Sequence, residues 1–355
     1  MTILAPAREL ETFVAAIFRA AGSEAGEAAE IAAHLVDANL AGHDSHGVGM
    51  VPAYLLHLAS GFVHPNRRPL RVGGAGPFAV FDGQMGYGQP IANRVMDEAI
   101  AIAAEHGVAI VSLRNAQHIG RVGAYAERLA ARGLLSIHFV NAVYTQPCVA
   151  PYRGSEARLM TNPVCIALPG EAPVLLDFAT SAIAMGKARV AWNKAEPVAP
   201  GRLIDHTGQA TTSPAVLFEE PRGALLPFGE HKGWGLAFLA EVLGGALGGG
   251  PVSGQRAMPQ QGLVNGMFTI ALEPGRLGDA SVFADEVSRL ANYVKSSPAA
   301  SPDEPVLVPG EPERASREQR GRDGIPIDPI TWKQISDGAA GLGVAAPAFP
   351  VSDGA

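Results

Sequence analysis

The run Gly42-His43-Asp44-Ser45-His46-Gly47 sets two imidazoles, a carboxylate and a hydroxyl in consecutive positions, with a glycine on each side. Imidazole ordinarily titrates near neutral pH, so it can take and return a proton under working conditions. Asp and Ser bond their own backbone and favour turns, and glycines supply unusual dihedrals at low steric cost. Ile31, Leu35 and Ala38 recur upstream at helical spacing, which puts the run at the mouth of a helix. As a purely structural feature it would be a polar C-capping turn.

Three further polar runs interrupt an otherwise apolar chain. Asn115-Ala116-Gln117-His118-Ile119-Gly120-Arg121 reads as a loop between a strand and a helix, with His118 beside backbone amides that could hold an anion. Met160-Thr161-Asn162-Pro163 leads through a buried strand to Asp177-Phe178-Ala179-Thr180-Ser181 and then Gly186-Lys187. Groups at a strand's carboxyl end suit a ligand, although Thr180 or Ser181 would serve equally as helix N-caps. Gly229-Glu230-His231-Lys232-Gly233-Trp234-Gly235 enters a helix. A lysine among glycines at a helix start is poor capping in dipole terms and good contact for phosphate or carboxylate.

Helices are needed to carry these runs. The pattern predicts them over about 8–20, from an N-cap at Ser23 to about Leu40, and over 51–58 with Pro52 in the first turn. From about Val72 strands and helices alternate: a strand ending at Asp82, a glycine-dense loop 83–88, a helix 91–105, a strand 108–112, a helix 120–132 and a strand 134–140. Further strands fall at 164–168, 174–178 and 263–271, so an α/β core is expected. Trp234–Leu247 is apolar nearly all round, the mark of a buried helix, and Gly248-Gly249-Gly250-Pro251 breaks it. Ser296–Pro305 reads as a crossing between lobes, and 339–355 as a loose tail or an arm lying on a neighbour. The strict G-x-G-x-x-G fingerprint is absent. Its looser form occurs only at Gly341–Ala346, with no strand before it, so a conventional Rossmann domain is disfavoured.

At 355 residues the chain exceeds one ordinary core, and two or three lobes are expected. Its net charge of -7 without a basic block argues against a nucleic-acid partner. Cys148 and Cys165 are too few for a disulfide framework or a zinc site, and read as small buried hydrophobes in a reducing compartment. The first residues lack a signal-peptide pattern, and no apolar run approaches the roughly 20 residues that cross a bilayer. A cytoplasmic protein with no membrane contact is expected.

Taken in order, these runs resemble the malate/L-lactate dehydrogenase family that is distinct from the Rossmann dehydrogenases. That family includes ureidoglycolate and sulfolactate dehydrogenases and the reductase of piperideine-2-carboxylate. The resemblance rests on Asp44–Val48, Asn115–Gly120, Ala157–Pro163, Asp177–Ser181, Gly186-Lys187, Lys232–Leu236, Asn265-Gly266 and Val308–Glu311, and spans roughly Leu10 to Asp328. It implies a non-Rossmann nucleotide-binding α/β sheet domain (72–295), a helical lobe (1–71) carrying Ser45 and His46, and a C-terminal segment (296–355) packing back on that lobe. It also implies a homodimer and an NAD- or NADP-dependent oxidoreductase of a small 2-hydroxy or 2-oxo acid. Ser45 and His46 match the proton-transfer pair, and His118 a histidine against the cofactor that serves as acid/base in some members. Thr161 matches a substrate contact. Phe178, Ala179, Thr180, His231, Lys232, Pro309, Gly310 and Glu311 fall where the dinucleotide lies.

Met50 stands where imine-reducing members have arginine, and Lys187 where they have an acid, as in the hydroxyacid branch. The substrate carboxylate then needs another clamp, for which Arg121 and Lys187 are the candidates. Arg153 replaces a frequent glycine. Reduction of a cyclic imino acid or a ureidoglycolate-type oxidation is the alternative within the family. Outside it stand a metal enzyme using His43 and His46, a hydrolase built on Ser45 and His46, and a non-catalytic nucleotide-binding relative.

Overall fold

The computed structural model describes residues 2–254 and 262–352. The chain opens with β1 (Thr2–Ala5), α1 (Ala7–Ala20), α2 (Ala25–Leu40) and α3 (Val51–Ala59). It continues with β2 (Leu70–Gly73), β3 (Phe78–Asp82), α4 (Gly88–His106), β4 (Val108–Gln117), α5 (Gly123–Ala130), β5 (Leu135–Val143), β6 (Val164–Leu168) and β7 (Val174–Phe178). Then come α6 (Met185–Asn193), β8 (Leu203–Ile204), β9 (Ala210–Thr211), β10 (Ala224–Leu225), α7 (His231–Gly244) and β11 (Val264–Leu272). The last elements are α8 (Ala280–Lys295), α9 (Glu311–Asp323), β12 (Ile325–Ile327), α10 (Pro329–Gly341) and β13 (Val351–Ser352).

Leu10, Phe13, Val14, Ile17 and Phe18 repeat at helical spacing on α1 and are all buried. They meet Ile31, Leu35, Tyr54, Ile335 and Ala339 in the core of a helical lobe. Strand β1 holds this lobe together by pairing with β12 on one edge and β13 on the other. The segment 339–352 is therefore neither loose nor an arm on a neighbour: Phe349 stacks near Trp332 and β13 completes a sheet of this same chain. The last three residues of the expected tail lie outside the described residues.

The second lobe is a seven-stranded sheet in the order β2-β3-β4-β11-β5-β6-β7. Helices and strands do alternate, yet among the described residues only β3 and β4 pair in parallel, joined across α4; the other neighbours are antiparallel. Helices α4 and α5 bury Ile91, Val95, Met96, Tyr125 and Leu129 against the apolar positions of β4, β6 and β7. Cys165 lies in this core, and Cys148 in a smaller one; both are free.

That smaller core belongs to a third unit, which sequence reading passes over. Strands β8, β9 and β10 form a sheet of two-residue strands, and Val149, Ala188, Leu203, Leu217 and Leu225 pack beneath it. Four predicted boundaries also move. Ser23 does not cap α2, which starts one residue after Glu24 without a side-chain cap. Helix α4 starts three residues early, at Gly88, and α5 is shorter than the 120–132 span. Strand β4 runs on through Gln117, so only His118–Arg121 of the second polar run is loop. Finally, α7 buries Ala237, Ala240 and Glu241 but leaves Phe238 54% and Leu239 49% exposed, so it is a surface helix with an apolar outer face.

Candidate active site

Helix α2 ends in a reversal where Gly42 takes φ +83 and its N–H donates to Asn39 O, while His43 N–H donates to Ala38 O. The chain then makes a single 3₁₀ turn, Asp44–His46. Asn39, buried beneath it, donates to Asp44 Oδ1 at 2.6 Å and accepts from Val48 N–H at 2.8 Å. Gly47 lies so close that a Cβ there would sit 2.1 Å from Asn39 Oδ1, which explains the glycine by proximity. From above, Arg320 of α9 forks onto both Asp44 oxygens, at 2.6 and 3.1 Å. Asp44 and the glycines therefore build the turn, and the turn carries His46.

His46 is half-buried, and its Nδ1 is hydrogen-bonded to His118 Nε2 at 3.2 Å; the two rings lie edge to edge, centroids 5.3 Å apart and planes within 18° of parallel. Beyond it His118 Nδ1 meets the Tyr54 hydroxyl at 2.7 Å, and Gln89 Nε2 donates to that hydroxyl at 2.6 Å. A hydrogen-bonded chain thus runs from the buried Gln89 of α4 through Tyr54 of α3 to His118 and His46. Burial, followed by the charges of His43 and Arg121, pushes His46 down to about 4. Burial, then the neighbouring imidazoles of His46, His34 and His57, takes His118 well below its ordinary value. Both rings are neutral at neutral pH. Ser45 Oγ makes no hydrogen bond among the described residues, so His118 is the neighbour that orients His46.

The loop bearing His118 is fixed from three sides. His118 N–H donates to Leu263 O, and Ile119 N–H to Asn265 Oδ1. Arg121 N–H donates to His34 Nε2, against which Gly120 lies so closely that a Cβ would be 2.3 Å away. Asn265 is itself held by Asn141, which with Asn162 and Glu241 forms a buried polar network under β5, β11 and α7. Asn162 and Asn265 fall in runs that the sequence already marks, whereas Asn141, Tyr54 and Gln89 escape sequence reading: an aromatic residue on an apolar helix face reads as core, and Tyr54 is indeed buried.

The third unit delivers Lys187. Gly186, at the start of α6, abuts Ser45 so tightly that a Cβ would be 2.4 Å from Ser45 Cβ. The exposed Lys187 follows it at the rim of the turn. Thr180 is not a helix cap: its hydroxyl donates to Thr161 O and Asn162 O, tying β7's end to the third polar run. Ser181 donates to Ile183 O, and α6 begins only at Met185, after an Ala184 cap. Arg153 takes φ +68, the conformation glycine adopts without strain, and its guanidinium lies over the Tyr152 ring.

The residues matched to the dinucleotide line up along β7. Pro309 O accepts from Leu175 N–H at the strand's start, Gly310 caps α9 at φ +95, and Glu311 pairs with Lys295. At the strand's other end Phe178 meets Phe228 edge-on, and Phe228 N–H donates to Thr180 O. Gly229 and Glu230 then turn at positive φ into α7, whose first residues, His231 and Lys232, are exposed. An aromatic wall, an exposed lysine and an uncapped helix N-terminus on one strip have the chemistry to hold a dinucleotide.

Arg121 does not present itself to a substrate. It is 1% exposed, and its Nη2 donates to Asp37 (2.8 Å) and Glu127 (2.5 Å), which Arg317 also holds. Met50 is half-buried and packs on the helical core, and Thr161 is half-buried at the strip's edge. The metal alternative loses its geometry, since His46 turns to His118 while His43 meets Glu313 at 3.3 Å. Among the described residues no three His, Cys, Asp or Glu side chains converge as a metal site. None of the described helices is long and apolar enough to cross a membrane.

Comparison with known proteins places the chain in a family. Residues 5–336 match the model of the malate/L-lactate dehydrogenase family. The chain is 45% identical to hydroxycarboxylate dehydrogenase B of Escherichia coli, covering 95% of this chain and 94% of that one. It is 40% identical to the L-lactate dehydrogenase of Cupriavidus necator, over 90% and 92% respectively. Among solved structures, sulfolactate dehydrogenase from Methanocaldococcus jannaschii superposes with a TM-score of 0.85 at 34% identity, covering 97% of this chain and 98% of that one. The chain belongs to the malate/L-lactate dehydrogenase family, a family of nicotinamide-dependent oxidoreductases.

Proposed function

We propose that this protein interconverts a small 2-hydroxy acid and its 2-oxo acid with NAD or NADP, and that His46 exchanges the proton. The observation that carries the reading is the bonded chain Gln89–Tyr54–His118–His46, closed in the core and open at half-buried His46. When bound, the nicotinamide takes up or supplies the hydride. Everything else falls to side chains of this protein.

Two hydrogen-bond directions satisfy the chain. In one, the Tyr54 hydroxyl donates to His118 Nδ1, His118 Nε2–H donates to His46 Nδ1, and His46 carries its own proton on Nε2. In the other, Tyr54 donates to His118 O, at 3.3 Å, and accepts from His118 Nδ1–H. His46 Nδ1–H then donates to His118, leaving Nε2 a free lone pair. The second arrangement accepts the proton of a hydroxy acid and becomes imidazolium, and in the reverse direction that imidazolium returns the proton from Nε2 to the oxygen of the 2-oxo acid; the first arrangement, neutral with Nε2 protonated, only hydrogen-bonds a ketone oxygen. His46 needs Nδ1 for His118 in both, so Nε2 is the atom that meets substrate.

With Arg121 enclosed, the substrate carboxylate falls to Lys187, beside Ser45; Thr161 and Met50 border the same space. Ser45 supplies the turn's contact with α6, and His118 orients His46 while facing the cofactor. Phe178, Ala179, Thr180, His231, Lys232 and Pro309–Glu311 would hold the dinucleotide, with Lys232 supplying charge for its phosphates. A homodimer is supported by the apolar outer face of α7, where Phe238, Leu239 and Val242 stand exposed together, with Leu247 58% exposed just beyond.

A panel of 2-oxo acids and cyclic imino acids, each assayed with NADH and NADPH, tests the reading. Turnover of straight-chain 2-oxo acids is expected, and their hydroxy acids should reduce the oxidised cofactor. Turnover of cyclic imino acids alone, or cofactor binding without turnover, would reverse it.

A further inference from the structure

Helix α9 has no buried apolar residue, and its sequence, Glu311–Asp323, is almost entirely charged or polar. A helix of that kind has no hydrophobic reason to lie between two lobes. One face nevertheless does, through residues spaced at three, four and seven positions. Glu313 meets His43, Ser316 donates to Leu40 O, and Arg317 holds Asp37 of α2 and Glu127 of α5. Arg320 forks onto Asp44 and donates to Asn39 O at 2.5 Å. At its other end α9 is pinned to the sheet, Pro309 O to Leu175 N–H and Arg314 to Pro173 O at 2.9 Å.

Apart from the His46–His118 bond and the packing of Ser45 on Gly186, the turn it grips has few anchors. Within Asp44–His46 the backbone bonds are His46 N–H to His43 O and Gly47 N–H to Asp44 O. Below, Asn39 is the single side-chain staple; above, Arg320 supplies both prongs of a charge-assisted fork. Asp44 is half exposed, so the fork contributes little to overall stability in water. Its effect is directional: a planar guanidinium accepts one carboxylate orientation, and that fixes the turn two residues before His46. Arg317 sets the height of the same face, because it shares both Asp37 and Glu127 with the enclosed Arg121.

We infer that α9 is a strut between the cofactor strip and the catalytic turn, and that Arg320 is a positioning residue that aims His46 by gripping Asp44. The inference rests on the reading of His46 as the proton-exchanging group, and extends it to a residue that touches neither substrate nor cofactor. Misplacement of a reacting group by about 1 Å can cost about 100-fold in rate, so the effect belongs in kcat.

The test compares Arg320→Ala, Arg320→Lys, Asp44→Ala and the double variant with the wild type, under saturating NADH or NADPH and a 2-oxo acid that turns over. Each protein is also titrated with the same reduced cofactor by fluorescence, and the His46–His118 proximity is read by NMR on histidine-labelled protein. Arg320→Ala is expected to lower kcat roughly 10- to 100-fold, with KM and cofactor affinity within about twofold and the His46–His118 contact weakened. Arg320→Lys, which cannot fork, should recover only part of the rate. The double variant should be no slower than the slower single one, because both remove one interaction. Unchanged kcat and an unchanged His46–His118 contact in Arg320→Ala would overturn the inference, as would full recovery by lysine or losses that multiply in the double variant. A weakened contact with unchanged kcat would also overturn it. If His46→Ala separately kept full turnover, the reading of His46 would fall, and the strut's catalytic role with it.

Discussion

In the proposed reaction Nε2 of His46 exchanges the proton, and its surroundings are set by buried residues behind it. Its Nδ1 is committed to His118, and His118 in turn to Tyr54. Removing the Tyr54 hydroxyl by Tyr54→Phe leaves Gln89 and His118 each short of a buried partner. Each such loss typically costs about 1–3 kcal/mol. Thermal unfolding should occur several degrees lower, and kcat should fall by more than KM changes; equal Tm and kcat would contradict the chain. Because burial and the charges of His43 and Arg121 hold His46 down to about 4, it stays neutral in mildly acidic solution. kcat/KM for hydroxy-acid oxidation reports free-enzyme groups, and is expected to hold level from about pH 7.5 to about pH 5.5. A fall centred on the ordinary histidine value would show that burial and the neighbouring charges do not hold His46 down. Gly47→Ala places a methyl carbon against Asn39 Oδ1, and should remove most activity even where the protein still folds. The polar runs were legible because each stands out from an apolar chain. Tyr54 was not, since one hydroxyl does not alter a periodicity.

Elements were readable to the extent that their burial is set within the chain. Helix α1, with five buried apolar residues on one face, was placed to within a residue. β4 reads short in sequence, because Asn115, Ala116 and Gln117 look like loop, yet Ala116 and Gln117 pair with Asn265 and Val264 of β11 beyond a register shift at which Asn115 takes a positive φ. Strands of two or three residues, as in the third unit and in β12, carry too few side chains to show alternation. The misread burial of α7 has a different cause: an apolar outer face looks the same whether its own chain or a second copy covers it. At this scale the account expects a dimer in sedimentation, and Phe238→Glu together with Leu239→Glu should yield monomer with its secondary structure intact. A wild-type monomer would contradict it.

For the molecule as a whole, the enclosed histidines set its response to acid. Burial carries His34 and His138 each to about 3 from an ordinary 6.5. The unfolded chain therefore binds protons below 6.5 that the folded one refuses, and stability falls as pH drops from there toward 3. Each group steepens the fall by up to about 1.4 kcal/mol per pH unit. Tm should decline steadily below about pH 6.5, and a flat profile down to about pH 5 would contradict the burial of these rings. The lobes themselves meet through charge: Asp37 and Glu127 are shared between Arg121 and Arg317, and α9 ties sheet to turn. Helix α9 ties the turn that bears His46 to the Pro309–Glu311 end of β7, and the claim on which the rest depends is that His46 moves the proton. His46→Gln, assayed in single turnover with a 2-oxo acid and NADH or NADPH while cofactor binding is followed by fluorescence, tests it most directly. The expected result is cofactor binding within about twofold of wild type and a chemical step slower by about 100-fold or more. An unchanged chemical step with intact cofactor binding would contradict the account.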